Sequence, residues 1–234
     1  MERLEELARR YDLPPGSAVR LARLLDLVAA EPASITTVRD PARGADVHVA
    51  DSLVALDLPT VRAAGRLADL GAGAGFPGLV VAIALPGSEV VLVESVQRKA
   101  AFIRSAAAGL RLANVRVQAV RAESWTAGLG VCDVVTARAL GPLSLLLEYA
   151  APLLRVGGSL VAWKAAPGRD ELRDAQAAAG TLGMGAPAAL PVTPFAEAER
   201  RSLYVSSKVM DTPDAYPRRE GMARKRPLRA SSRG

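Results

Sequence analysis

Cysteine occurs once in this chain, and so does histidine. A single Cys excludes an internal disulfide framework and suits a reducing compartment. One Cys and one His are a poor basis for a metal centre, so no metal is expected. Aromatic residues make up only 4% of the sequence, and Tyr216 alone lies near a run of basic residues. That leaves no stacking platform for bases, so contact with nucleic acid should run through phosphates. No apolar run reaches the length of a membrane span, and no charged-then-apolar leader opens the sequence. The expectation is a soluble, cytoplasmic protein with no membrane partner.

What the chain does have is apolar content and unevenly placed charge. Its 234 residues are 50% hydrophobic, enough for one α/β domain with extensions. Between Tyr216 and Gly234, seven basic residues face one acid and account for the whole net charge of +6. A neutral body with a cationic tail suggests a polyanionic partner, nucleic acid first; a solvated tail explains such a run equally well. Arg218, Arg219, Lys225 and Arg226 are the candidate phosphate contacts in the tail. Lys164, Arg200, Arg201 and Lys208 are candidates to extend that surface.

Leu4, Leu7, Ala8 and Tyr11 recur at helical spacing over 2–11, and Pro14-Pro15-Gly16 ends that helix. Ser17 is a candidate N-cap for a second helix running to about Ala30. Residues 34–42 read as a loop and 43–58 as a helix. Strands are then predicted at 66–70, 89–94, 115–120, 131–136 and 158–164, with helices at 77–85, 97–110, 142–154 and 169–180. This alternation predicts a parallel sheet covered on both faces. Two further strands, 188–193 and 201–210, lack a helix between them and predict an antiparallel hairpin at the sheet edge. The chain divides into a helical extension (1–60), an α/β domain (61–211) and a basic tail (212–234).

The segment Asp69-Leu-Gly-Ala-Gly-Ala-Gly-Phe-Pro-Gly78 links a predicted strand to a predicted helix. Alternating glycines let the backbone close on a ligand at a helix N-terminus, a cradle for a nucleotide-like molecule. Gly73–Gly78 fits G-x-G-x-x-G, which dinucleotide dehydrogenases share, so an NAD-dependent oxidoreductase is one alternative. Asp69 favours a different cargo. A carboxylate there attracts the ammonium and sulfonium of S-adenosylmethionine and repels a pyrophosphate. Glu94, about twenty residues past the turn, is placed to hold ribose hydroxyls of either cofactor. Arg138, between Ala137 and Ala139, falls at a strand C-terminus, where open α/β sheets bind ligands. His48, Asp51 and Ser52 form His-x-x-Asp-Ser at helical spacing, which suits either a local hydrogen bond or a site element.

Several stretches recur in order: Asp69–Gly78, Glu94 with Gln97-Arg-Lys-Ala-Ala-Phe-Ile103, Arg121-Ala-Glu123, Asp133-Val-Val-Thr-Ala-Arg-Ala139 and Pro152-Leu-Leu-Arg-Val-Gly-Gly158. Tyr216-Pro-Arg-Arg219 and Lys225-Arg-Pro-Leu228 follow. Together they resemble the small-subunit rRNA guanine-N7 methyltransferases, the glucose-inhibited-division protein B group. The resemblance implies an α/β, class I S-adenosylmethionine-dependent (Rossmann-like) fold: a mostly parallel sheet with an antiparallel edge and an N-terminal helical extension. It implies S-adenosyl-L-methionine as cofactor. Gly71, Gly73 and Phe76 would line its methionine and ribose side, and Glu94 would hold the ribose. Ala122 and Glu123 would meet the adenine, largely through backbone groups. Arg138 would lie beside the methyl group and His48 would shape the acceptor site. The implied reaction is methyl transfer to guanine N7 in the decoding-region loop of 16S rRNA, with the small ribosomal subunit as partner and the protein a monomer. The N-terminal quarter departs from the pattern, with Val47 where that family commonly has Arg before the His.

The acceptor leaves its own marks. Cys132 sits within the apolar run Val131–Val135 and reads as a core residue, so it is a poor nucleophile for attack on a pyrimidine C5. Thr136-Ala-Arg-Ala139 replaces the Asn/Asp-Pro-Pro-aromatic turn expected for an exocyclic amine. Guanine N7 carries a lone pair and no proton, so it needs no general base. These absences permit an N7 acceptor; the resemblance supplies the assignment. A non-catalytic RNA-binding or assembly factor on the same fold is the second alternative.

Overall fold

Strand β1 (Arg66–Leu70) sends Leu67 into one apolar cluster and Ala68 and Leu70 into another. Strand β2 (Glu89–Val93) divides in the same way, with Val90 and Leu92 on one side and Val91 and Val93 on the other. Successive side chains point to opposite faces, so continuous apolar runs mark strands buried on both sides. The structure is a computed structural model and describes residues 1–32, 35–198 and 201–231.

The remaining strands are β3 (Val115–Gln118), β4 (Cys132–Arg138), β5 (Leu154–Lys164), β6 (Ala188–Val192) and β7 (Arg201–Ser207). They form one seven-stranded sheet in the order β3-β2-β1-β4-β5-β7-β6. β1 to β5 are parallel, while β7 runs antiparallel to β5 and β6 antiparallel to β7. The expected edge hairpin is present, with β6 outermost.

One face is covered by α1 (Glu2–Arg10), α2 (Ser17–Ala30), the helical stretch 41–57, α3 (Gly78–Ala84) and α4 (Gln97–Gly109). The other is covered by α5 (Leu143–Ala150) and α6 (Arg169–Leu182), joined by Ala223 of the tail. Leu7, Leu21 and Leu24 of the N-terminal helices share one cluster with Leu67 and Leu79.

Three local expectations change. Ser17 does not cap α2: the cap position is Gly16 at φ 80°, and the buried Ser17 hydroxyl has no hydrogen-bond partner among the described residues. The stretch 43–58 is helical but irregular, with a π segment at Ala45–Ala50 and a 3-10 turn at Val54–Asp57. The Asp51 amide reaches back to the Asp46 carbonyl, and this wider turn re-aims the side chains after it. The helix predicted to 154 ends at Ala150, and β5 begins at Leu154. Gly157 and Gly158 lie within β5, where the pairing with β4 shifts register between Cys132 and Val134. Gly157, at φ 85°, sits in that irregularity.

Candidate cofactor and acceptor site

The sheet order reverses between β1 and β4, the point where open α/β sheets leave a crevice at their strand C-termini. The register there sets Asp69 beside Thr136. Asp69 is buried; one carboxylate oxygen accepts from Thr136 Oγ1 and the other from the Gly78 amide, both at 2.9 Å. Burial pushes its carboxyl up to about 6. Each oxygen holds one protein donor, so Asp69 braces the glycine turn from beneath. Glu94 braces it from the side. It is also buried, and its two oxygens accept from the Gly73 amide at 2.9 Å and the Val96 amide at 2.8 Å.

Two glycines in the turn differ in what they serve. A Cβ on Gly75 would lie 2.4 Å from Leu79 Cδ1, so α3 packing demands glycine there. A Cβ on Gly73 would meet nothing closer than the Gly71 carbonyl at 3.7 Å. Its φ of +58° shapes the loop, and the space above it is open. That open cradle fits a ligand lying along the turn.

Above the turn is a cavity of about 220 Å³ whose walls include Gly71, Gly73, Phe76, His48, Lys99 and Arg138. The His48 ring stacks on Phe76 at 4.5 Å, with 9° between planes. The Arg138 guanidinium lies 5.7 Å from the Phe76 ring centre. His48 Nε2 is 2.9 Å from the Val38 carbonyl. A carbonyl only accepts, so Nε2 carries the proton and Nδ1 holds the lone pair. Burial holds the imidazole pKa below its ordinary value, which keeps the ring neutral at pH 7.

Asp51 does not pair with His48. Its carboxylate is 2.8 Å from Arg138 and 3.2 Å from Arg201, and the Trp163 indole donates to its backbone carbonyl at 2.7 Å. Sequence reading missed this anchor of Arg138, because nothing local ties residues 87 positions apart. Arg138 stands between the first cavity and another of about 270 Å³, lined by Trp163, Lys164, Arg201 and Ser202 among others.

From Gly71 a narrower cavity of about 50 Å³ extends past Ala122 and Glu123. Tyr149 and Arg224 also line it, and neither was expected there. The basic residues sort unevenly. Arg219, Lys225 and Arg226 are exposed. Arg218 is bonded through two nitrogens to the buried Glu148, at 2.6 and 2.5 Å, and so is not open to phosphate as expected. Lys164 is committed to Glu171 at 2.7 Å, and Lys208 is buried and donates to the Ala151 carbonyl. Arg201 divides between Asp51 and the Phe195 ring at 5.9 Å. Arg200 lies outside the described residues.

The architecture is that of the class I S-adenosylmethionine-dependent methyltransferases. It superposes on a SAM-dependent O-methyltransferase from Thermotoga maritima with a TM-score of 0.53 at 15% identity, covering 78% of this chain and 74% of the other. The S-adenosylmethionine-dependent methyltransferase SibL gives 0.56 at 16% identity, covering 78% and 61%. Likeness at that level concerns fold alone; the sequence goes further. The family described as rRNA small subunit methyltransferase G (GidB) matches residues 18–197, and this chain belongs to it. It is 41% identical to the ribosomal RNA small subunit methyltransferase G of Rubrobacter xylanophilus, over 84% of this chain and 78% of that protein. The Chloroflexus aggregans protein of the same name is 42% identical, over 83% and 82%. The chain is an S-adenosylmethionine-dependent methyltransferase, and the NAD-dependent oxidoreductase alternative is set aside.

Proposed function

We propose that this protein methylates N7 of a guanine in the decoding-region loop of 16S rRNA, with the small ribosomal subunit as partner. Acting as a cytoplasmic monomer without a metal belongs to the same reading. The observation that carries the proposal is Arg138, held by Asp51 against Phe76 and His48 at the mouth of the cofactor crevice. Family membership and the exposed cations Arg219, Lys225 and Arg226 support an RNA acceptor.

The bound cofactor supplies an electrophilic methyl on a sulfonium, open to in-line displacement. The chain supplies placement. Gly71, Gly73 and Phe76 receive the methionine and ribose side. Glu94 oxygens already accept amides but keep lone pairs for ribose hydroxyls. The backbone of Ala122 and Glu123 meets the adenine. His48 and Phe76 form an apolar wall beside the acceptor, and Arg138 orients the guanine with its fixed guanidinium.

The Cys132 thiol is buried with its pKa pushed up to about 12, so it is no nucleophile. His48 donates through Nε2 to Val38, and its Nδ1 lone pair has no partner among the described residues. Guanine N7 has no proton to lose, so the proposed reaction does not call on that lone pair. The deciding experiment supplies labelled cofactor and small subunits from a strain lacking the enzyme, then maps the labelled nucleotide. Label at guanine N7 in that loop is expected; label at another atom or RNA overturns the acceptor assignment. No label at all favours the non-catalytic assembly factor.

A further inference from the structure

The basic tail is built into the cofactor site. Its short helix Met222–Lys225 buries Ala223 against the α5–α6 face, with Tyr216 and Leu228 packed alongside. Arg218 anchors it through Glu148. Three contacts then join the tail to the 3-10 turn Ala122–Ser124 and its approach. The Gly221 amide donates to Glu123 at 3.0 Å, the Ser124 hydroxyl donates to Glu220, and Arg121 lies 3.4 Å from Glu220. Arg224 donates to the Leu140 carbonyl at 3.3 Å and shares the narrow cavity with Gly71, Ala122, Glu123 and Tyr149.

We propose that the tail is a wall of the adenine pocket, that Arg224 contacts the bound cofactor, and that cofactor binding and tail docking stabilise each other. This rests on the reading of Ala122 and Glu123 as the adenine contact. The tail grips that turn by the side chains of Glu123 and Ser124. The adenine would use its backbone, whose first N–H groups have no acceptor within so short a turn. The two sets of contacts do not compete. A docked tail therefore fixes the turn in the shape the ligand uses, and linkage makes the effect reciprocal. Arg219, Lys225 and Arg226 ride on the same segment, so cofactor occupancy also sets how firmly these cations are presented to RNA.

The test is a calorimetric titration of S-adenosylhomocysteine into the full chain and into the double variant Glu220→Ala/Arg224→Ala. Both residues are exposed, so the fold should survive, and an unchanged Tm of the body checks it. The variant is expected to bind roughly tenfold more weakly, within the usual range of such couplings. In the unmodified chain, saturating ligand is expected to slow amide exchange across residues 216–228. Equal affinity in the variant, or tail exchange that ignores the ligand, overturns the inference while leaving the cofactor site intact. An unmodified chain that binds no S-adenosylhomocysteine overturns the site reading, and this inference with it.

Discussion

The imidazole of His48 and the ring of Phe76 lie face to face, 28 residues apart in sequence and 4.5 Å apart in space. Burial keeps the imidazole neutral through the physiological range. The contact is therefore one of shape, worth about 0.5–1.5 kcal/mol beyond its area. The expected methylation rate at saturating substrate is flat from about pH 6.5 to 8.5, because neither His48 nor the acceptor exchanges a proton. A step near pH 6.5 that disappears in His48→Gln would make the histidine an acid–base group and contradict the reading.

Asp51 sits at the centre of a charge cluster, with its side chain only 1% exposed and two arginines against it. Asp51→Ala leaves Arg138 and Arg201 without their counter-charge at a partly buried site. Breaking a buried pair costs about 3–5 kcal/mol, and the exposure of Arg201 places the loss toward the lower end. Urea unfolding measures it. Asp51→Asn preserves the shape and should weaken methylation more than it weakens the fold. Equal activity in Asp51→Asn would show that the Arg138 guanidinium needs no anchor.

Gly73 and Gly75 are two positions apart, and replacing them should do different kinds of damage. Gly75→Ala drives a methyl into Leu79 and should lower stability by about 2–4 kcal/mol, the range of overpacking plus backbone strain. Gly73→Ala carries only the cost of its left-handed backbone, about 1–2 kcal/mol, and its new methyl points into the cradle. S-adenosylhomocysteine affinity should fall sharply there. Paired thermal melts and calorimetry distinguish the two, and unaltered affinity in Gly73→Ala would empty the cradle of its assigned ligand.

Asp69 has a pH signature. Its pKa rises from an ordinary 3.8 to about 6 on folding, so between those values the folded chain binds more protons than the unfolded one. Stability from this group is therefore full below about pH 4 and is lost as pH rises through about 6. Asp69→Asn removes the charge, keeps an acceptor for the Gly78 amide and turns its NH2 to the Thr136 hydroxyl, which can accept as well as donate. Its stability relative to the parent should grow by roughly 1–3 kcal/mol from pH 4 to pH 7 in ligand-free protein. A difference that does not vary with pH would mean that Asp69 titrates normally.

The exposed tail cations carry a salt prediction. Changing Arg219, Lys225 and Arg226 together to Ala should reduce the slope of log affinity against log salt by about 2–3 for RNA. Arg218 is left in place, since its removal strands Glu148 in the interior. An unchanged slope would place the RNA on another surface.

Much of this was legible in sequence for identifiable reasons. The two-sided apolar runs of β1 and β2 announced strands buried on both faces, and the alternating glycines announced the turn. Asp69 and Glu94 were singled out as ligand contacts, yet only the structure shows one oxygen of each accepting an amide of the turn itself, from Gly78 and Gly73. The early start of β5 was hidden because Gly157 and Gly158 read as a strand's beginning while serving as its irregularity. Charge was the least legible feature. A run of arginines looks uniform in one dimension, but Arg218 finds Glu148 seventy positions away, while Arg219 stays outside.

The shared cluster linking Leu7, Leu21 and Leu24 to Leu67 and Leu79 bears on how this enzyme can be cut or recombined. A fragment starting at β1 would keep the glycine turn with Asp69 and Glu94, yet it would lose His48 and Asp51 and turn one apolar face of the sheet out to water. The first sixty residues are thus no detachable RNA-reading module. Grafting a foreign N-terminus onto this catalytic half would first require rebuilding the oil that β1 and α3 lean on.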